Sequence, residues 1–263
     1  MSAERRRSIW GVLAGVLLLT ALVAGGWTGW QWMQQVTVKE IRIRGNVNAT
    51  EGEVLALLRT DTGAVMFEVN AVLLEDRVVR HPWIGQVDVA RLPSGILDVQ
   101  VTERTPVALL MNPDGTAAWW ADARGWRLPI TGRARYDVPL VYAPVEPWHP
   151  MRPVEDASTR ELLSAIATAP ERMDALFSEF VYLDGEWELR LTPVAPHDGI
   201  PVQLGRSGFA PKFIQLLGFW DQQVLQHQNK IYDRIDLRFD GQIIVEEQLR
   251  EEDAPESTSK NHE

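Results

Sequence analysis

Residues 86–103 read QVDVARLPSGILDVQVTE, and this stretch decides the architecture of the first folded part of the chain. Two alternating segments, Gln86 to Arg91 and Ile96 to Glu103, flank Pro93-Ser94-Gly95, a turn signal, so a pair of adjacent strands is expected. Upstream, Val36 to Arg44 (VTVKEIRIR) alternates at period two and predicts a half-buried strand, closed by Gly45-Asn46. Thr50 with Glu53 three residues on is a capping-box pattern; Val54, Leu55, Leu57 and Leu58 then give a short helix. A second helix is expected from about Asn70 to Arg80, with Val72, Leu73, Leu74 and Val79 apolar and Pro82 as its stop. Strand, helix, helix, strand, strand within about 70 residues describes a compact α+β module with its helices on one face of a small sheet.

Further upstream, Ile9 to Trp32 reads IWGVLAGVLLLTALVAGGWTGWQW and carries no charged side chain. At about 1.5 Å rise per residue, roughly 20 such residues cross a hydrocarbon core of about 30 Å. Arg5, Arg6 and Arg7 precede the run and, by the positive-inside bias, hold that end in the cytoplasm; Trp27, Trp30 and Trp32 suit the headgroup layer at the other end. A buried core helix is a poorer reading, because such runs are usually shorter. A cleaved signal peptide has a similar charged start and apolar run, but Leu22 stands three positions before a cut after Ala24, where small residues are preferred. In either case the chain from about residue 35 onward lies beyond the membrane.

Downstream of Glu103, Val107 to Met111, Ala117 to Ala121 and Trp126 to Leu128 are short strand candidates, separated by Asn112-Pro113-Asp114-Gly115 and Asp122-Ala123-Arg124-Gly125. Residues 143–157 are proline-rich and read as an extended surface loop. Ser158 and Glu161 form a second capping-box pattern before a helix to about Thr168. Phe180 to Leu183 and Trp187 to Leu191, about Asp184-Gly185, read as a hairpin. Pro201 to Arg206 is a further strand, Phe209 to Gln226 is apolar at helical spacing, and Ile235 to Phe239 and Ile243 to Glu247 flank Asp240-Gly241 as the final strands. The charged tail from Arg250 reads as disordered.

Composition excludes several functions. The 263 residues carry a formal charge of -10, and the basic residues are scattered apart from Arg5–Arg7, which argues against nucleic acid as the main partner. There is no cysteine, so thiol catalysis, zinc-thiolate sites and disulfides are absent. No two of His81, His149, His197, His227 and His262 have zinc-ligand spacing. Ser158 has no glycine-elbow context, and Leu204-Gly205-Arg206-Ser207-Gly208 lacks the Lys-Ser/Thr ending of a phosphate loop. Trp119-Trp120 in a short strand reads as one core and one surface ring. No catalytic, cofactor or metal residue is expected; a carboxylate pair for hydrolysis stays open.

Certain runs then resemble a known family. Val38-Lys39-Glu40-Ile41-Arg42-Ile43-Arg44-Gly45-Asn46 follows the span; His81-Pro82-Trp83-Ile84, Val87 to Leu97 and Val101-Thr102-Glu103-Arg104-Thr105-Pro106-Val107-Ala108 come next; Asp122-Ala123-Arg124-Gly125, Val202-Gln203-Leu204-Gly205 and Ile235-Asp236-Leu237-Arg238-Phe239 complete the set. Together, across residues 5 to about 247, they resemble the FtsQ/DivIB cell-division proteins, with Phe239 where many members have Tyr. The resemblance implies a cytoplasmic segment 1–8, a transmembrane helix 9–32, a βααββ POTRA domain 36–106, a mainly β domain with flanking helices 107–249, and a tail 250–263. It also implies a non-catalytic, single-pass scaffold of the divisome at the plasma (inner) membrane, with its bulk periplasmic at the division site. FtsB and FtsL would be its partners at the last strands, other divisome proteins would bind the POTRA domain, and the lipid bilayer would hold its one span.

Arg238, Phe239, Gly241, Ile243 and Val245 are the expected docking residues. Arg238 would either fork onto a partner carboxylate or stay solvated, and Phe239 would either fill a partner pocket or join the core. Gly241 would allow close backbone approach, and the Ile243–Val245 strand, with nothing after it in the sheet, would offer an unpaired edge. The rival readings are a POTRA-bearing factor of envelope assembly or secretion, which would carry several modules or a barrel, and a membrane-anchored hydrolase.

Overall fold

The computed structural model describes residues 3–195, 199–226, 230–239 and 241–249, which divide into two compact units, Met1–Glu103 and Arg104–Glu263. His197, His227, His262, Asp240 of the expected turn and the tail from Arg250 lie outside the described residues.

In the first unit, helix α1 (Ala3–Gln35) contains the one stretch among the described residues that is long and apolar enough to cross a membrane, Leu13–Trp32. Its two hydroxyls are closed on the helix itself. Thr20 Oγ1 donates to the Val16 carbonyl at 2.7 Å and Thr28 Oγ1 to that of Ala24 at 2.9 Å, so both hydroxyls are satisfied within the apolar helix. Strand β1 (Glu40–Arg44), helices α2 (Glu51–Leu58) and α3 (Ala71–Val78), and strands β2 (Ile84–Arg91) and β3 (Ile96–Glu103) follow in the expected order. The sheet order is β1-β3-β2, with β1 parallel and β2 antiparallel to β3. Val99, Leu97 and Val101 of β3 are buried, as are Val54, Leu58, Leu74 and Val78 of the helices, and Trp83 and Ile84 plug the core.

Two local rules account for much of this unit. Thr50 and Glu53 form the capping box that opens α2, with Glu53 N donating to Thr50 Oγ1 at 3.2 Å and Thr50 N to Glu53 Oε2 at 2.7 Å. Gly45 has φ +85, and a Cβ there would lie 2.1 Å from the Val101 carbonyl oxygen, so only glycine closes the end of β1. The first strand is shorter than its alternation predicts. Val36 to Val38 leave the sheet and pair instead with the 63–66 segment: Met66 N donates to Val36 O, Val38 N to Ala64 O, and Gly63 N to Val38 O, at 2.7–2.8 Å.

The second unit is built on a sheet of β4 (Pro106–Met111), β5 (Ala117–Asp122), β6 (Arg127–Leu128), β7 (Leu140–Tyr142), β8 (Phe177–Leu183), β9 (Glu186–Leu191), β10 (Pro201–Gly205), β11 (Lys230–Asp236) and β12 (Ile244–Leu249). Among the described residues the spatial order is β12-β11-β10-β9-β8-β7-β4-β5-β6. Helices α4 (Ala157–Thr168) and α5 (Phe209–Phe219, continued by a π turn Trp220–Val224) bury Leu162, Leu163 and Ile166, and Phe209, Phe213 and Leu216, in the same core as the sheet. Phe177, Phe180 and Phe213 meet with ring centroids 4.8–5.9 Å apart, and full burial of each such ring stabilises by about 1.5–3 kcal/mol. The hairpin between β8 and β9 turns on Asp184 (φ +51) and Gly185 (φ +85), the positive-φ pair of a type I′ turn.

The start of α4 corrects the expected capping box. Asp156 is the N-cap, accepting from Thr159 N at 2.6 Å. Ser158 Oγ accepts from Trp187 Nε1 at 2.9 Å and donates to Arg206 O, while Glu161 accepts from Gly208 N. The proline-rich loop is fastened by Arg127, whose nearly buried guanidinium donates to the Glu146 and Pro147 carbonyls and to the Glu146 carboxylate.

Candidate partner-binding edge

Strand β10 runs parallel to β11, pairing Val202 with Ile235 and Gln203 with Asp236, so two of the family-like runs lie side by side. The strand expected to reach Phe239 ends at Asp236. The cause is local: Arg238 N donates to Asp236 Oδ1 at 2.9 Å, an Asx-type turn that bends the backbone out of the ladder. Leu237 is fully buried and its N–H still reaches Gln203 O at 2.9 Å, which fixes the exit of the chain. Arg238 and Phe239 therefore leave the sheet from a rigid base.

The Arg238 guanidinium clasps Asp236, Nη2 donating to Oδ2 at 2.6 Å and Nε to both oxygens at 3.0 Å. Nη1 reaches Glu186 Oε2 at 3.3 Å, and Glu186 is shared with Arg206 Nε at 3.7 Å. The bond from Arg238 holds the Asp236 carboxyl below the usual range against the opposing effect of burial, and the same bond with that to Glu186 holds Arg238 above its own. The fork offered to a partner by the sequence is thus engaged within the chain. Gly205, at φ +76, makes room for it: a Cβ there would come within 3.3 Å of Arg238 Cγ. In the sequence Asp236 and Gly205 stand only within family-like runs, and Glu186 shows no signal beyond a carboxylate one residue past a tight turn.

Phe239 is 51% exposed and does not join the core. Gly241, at φ +71, has open space where a side chain would be, and Gln242 N donates to Phe239 O at 3.1 Å. Strand β12 starts at Ile244, one residue later than expected, and pairs antiparallel with β11, Val245 opposite Ile235 and Ile244 opposite Asp236. Ile243 and Val245 pack partly buried against the core, whereas Ile244 is 47% exposed. Only one of the three branched residues therefore faces outward. Beside them Glu247 receives Lys230 Nζ at 2.9 and 3.0 Å, and Glu246 is exposed. Among the described residues β12 has a neighbour on one side only, so its other backbone row is an open edge carrying acidic side chains.

The residues expected to anchor the chain fall at opposite ends of α1, Arg5, Arg6 and Arg7 in its first turns and Trp27, Trp30 and Trp32 near its last. The remaining candidates have structural duties. His81 Nδ1 accepts from Trp83 N at 3.3 Å, and His149 Nδ1 from Met151 N at 3.0 Å. Trp119 stacks on Trp148 with centroids 5.2 Å apart, and Trp120 meets Tyr136 edge-on. No group of three or more metal-ligating side chains occurs among the described residues.

The Glu-Arg-x-Pro run also acquires a physical meaning. Glu103 receives the N–H groups of Val47, Asn48 and Ala49 at 2.8 Å and the Asn48 amide at 3.0 Å. Burial pushes its carboxyl up, and these donors together outweigh burial and hold it below the ordinary value. Its neighbour Arg104 donates to Asp122 at 2.9 Å and lies 4.5 Å from the Trp126 ring, while Asp122 caps the Arg124 and Trp126 N–H groups.

Comparison with known proteins gives the same assignment along the chain. Residues 36–104 match the family described as POTRA domain, FtsQ-type. The cell division protein FtsQ of Rhodothermus marinus is 40% identical over 248 residues, covering 94% of this chain and 89% of that protein. That of Salinibacter ruber is 35% identical over 233 residues, covering 87% and 90%, and that of Koribacter versatilis is 26% identical over 255 residues, covering 92% and 71%.

Proposed function

The chain belongs to the FtsQ family of cell-division proteins, and from that membership we propose that it is a non-catalytic scaffold of the divisome whose β12 edge accepts a strand from an FtsB-type partner. It is a membrane-anchored division protein that works among other division proteins. In the proposed topology the arginines at the start of α1 stay in the cytoplasm and both units lie outside it, with the FtsL companion of FtsB held in the same complex. The relatives favour this reading over an envelope assembly or secretion factor. A hydrolase would need a juxtaposed acid and base that the cluster of Asp236, Arg238 and Glu186 does not provide, since both carboxylates are neutralised by arginine.

The observation that supports the docking edge is the exposed Phe239 in the turn that leads into β12, which follows the clasp of Arg238 on Asp236. Strand addition supplies affinity through the backbone, and an exposed aromatic supplies an anchor. Arg238 then acts as a positioning residue for Phe239. Glu246 and Glu247 disfavour pairing of two copies of this edge, because like charges would face each other.

Pulldown of the extracytoplasmic part with an FtsB-type periplasmic segment tests the reading. Phe239→Ala should weaken binding about tenfold or more while the circular dichroism spectrum is unchanged. Undiminished binding by that variant would remove Phe239 as an anchor. A reporter fused at the C-terminus should be active only outside the cytoplasm, and a mature chain starting near residue 25 would overturn the anchor.

A further inference from the structure

The passage from α1 into the first unit has no free linker. Gln35 ends the helix, and the bonds from Met66 N to Val36 O and from Val38 N to Ala64 O hold the next residues against the 63–66 segment at 2.8 Å. Phe67 follows that segment directly; its ring lies 5.6 Å from Trp30 in an edge-on contact and is 47% exposed. Phe67 also borders an apolar recess of about 540 Å³, lined by Gly29, Trp32, Val36, Met66, Phe67 and Leu92, with Arg91 at the same recess. Trp30 and Trp32 are themselves exposed, so the aromatic surface is continuous from the span onto the folded unit.

We propose that this face of the first unit is a lipid-contacting surface: Phe67 lies in the interfacial layer of the bilayer that α1 crosses, and a phospholipid fills the recess. Indole rings concentrate at the headgroup level, and the Phe67 ring, 5.6 Å from that of Trp30, can differ from it in depth by no more than that distance. The recess is apolar, as an acyl chain requires, and Arg91 adds a guanidinium for the lipid phosphate. The inference rests on α1 being a membrane anchor and is independent of the β12 edge. It implies that the first unit is held at a fixed tilt on the membrane surface.

The absence of cysteine makes the test direct. The full chain is reconstituted in phosphatidylethanolamine–phosphatidylglycerol vesicles with single cysteines, Leu19→Cys, Trp30→Cys, Phe67→Cys, Glu68→Cys or Val47→Cys, each carrying an environment-sensitive dye. Nitroxide lipids and aqueous iodide are the quenchers. Residue 19 marks the span and Val47, just beyond β1, marks the solvated part. Residues 67 and 68 should be quenched by nitroxide lipid as strongly as residue 30 and about fivefold more than residue 47. Iodide quenching at 67 and 68 equal to that at 47, with residue 19 still lipid-protected, would overturn the proposal while leaving the anchor intact. A water-exposed residue 19 would overturn the anchor and this inference with it.

Discussion

Glu103 shows how much one side chain can organise. Its carboxylate closes the 47–49 loop onto the end of β3 with three backbone donors and one amide. The folded pKa is depressed, so the stabilisation is present above the unfolded carboxylate value and is lost as pH falls through the folded one. Glu103→Gln should therefore lower stability near pH 7 by about 1–2 kcal/mol, after allowing for partial exposure, and the loss should shrink toward pH 3. Urea denaturation of residues 36–263 at both pH values reads this, and a pH-independent difference would show that the charge is not the cause. The sequence displayed Glu103 as one letter of a family-like run; its role was not legible because its partners lie more than fifty residues upstream. Arg238 was legible as important and illegible in its use. Its clasp on Asp236 is only two residues away, but the contribution of Glu186 comes from a different hairpin.

At the scale of elements, local signals were read well when they were answered locally. The Thr50–Glu53 pattern is a capping box because both partners stay in the first turn of α2. The identical pattern at Ser158 and Glu161 fails because Trp187, Arg206 and Gly208 take those side chains, leaving Asp156 to cap. Strand β7 escaped notice altogether: three residues show no period, and its parallel neighbours β4 and β8 lie far off in sequence. The candidate edge permits a sharper test than a single substitution. Successive N–H groups of a strand point to opposite sides, so of Val245 and Glu246 one donates toward β11 and the other toward the open row. Val245→Pro and Glu246→Pro should separate: one variant loses the β11–β12 ladder and about 3 kcal/mol of stability, the other keeps the fold and loses the FtsB-type segment. Equal binding by both folded variants would exclude β12 as the docking strand.

For the whole molecule, the division into Met1–Glu103 and Arg104–Glu263 gives the first unit its own buried set, centred on Trp83, Ile84, Leu58 and Val99. A protein of residues 36–106 should accordingly unfold in a single cooperative thermal transition, since about 70 residues can hold a small core. A broad, sloping melt would mean that the remaining chain completes it. The fold class and, apart from β7, the order of its elements were recoverable from periodicity and turns. The strand order of the larger sheet was not, because parallel pairings such as β10 with β11 are decided by the long connection through α5, not by any local pattern.

From β7 to β12 that sheet grows in the order of synthesis, each strand laid against the one made before it. If the part after α1 is exported from its α1-proximal end onward, it would assemble this sheet like courses of brick, with every new strand finding its template already set. Among the described strands the open row of β12 would then form last, and on the proposed function partner docking would wait for it. A chain stopped after Phe239 would present the flank of β11 without the acidic guard of Glu246 and Glu247, and sedimentation should show it self-associating where the full protein does not.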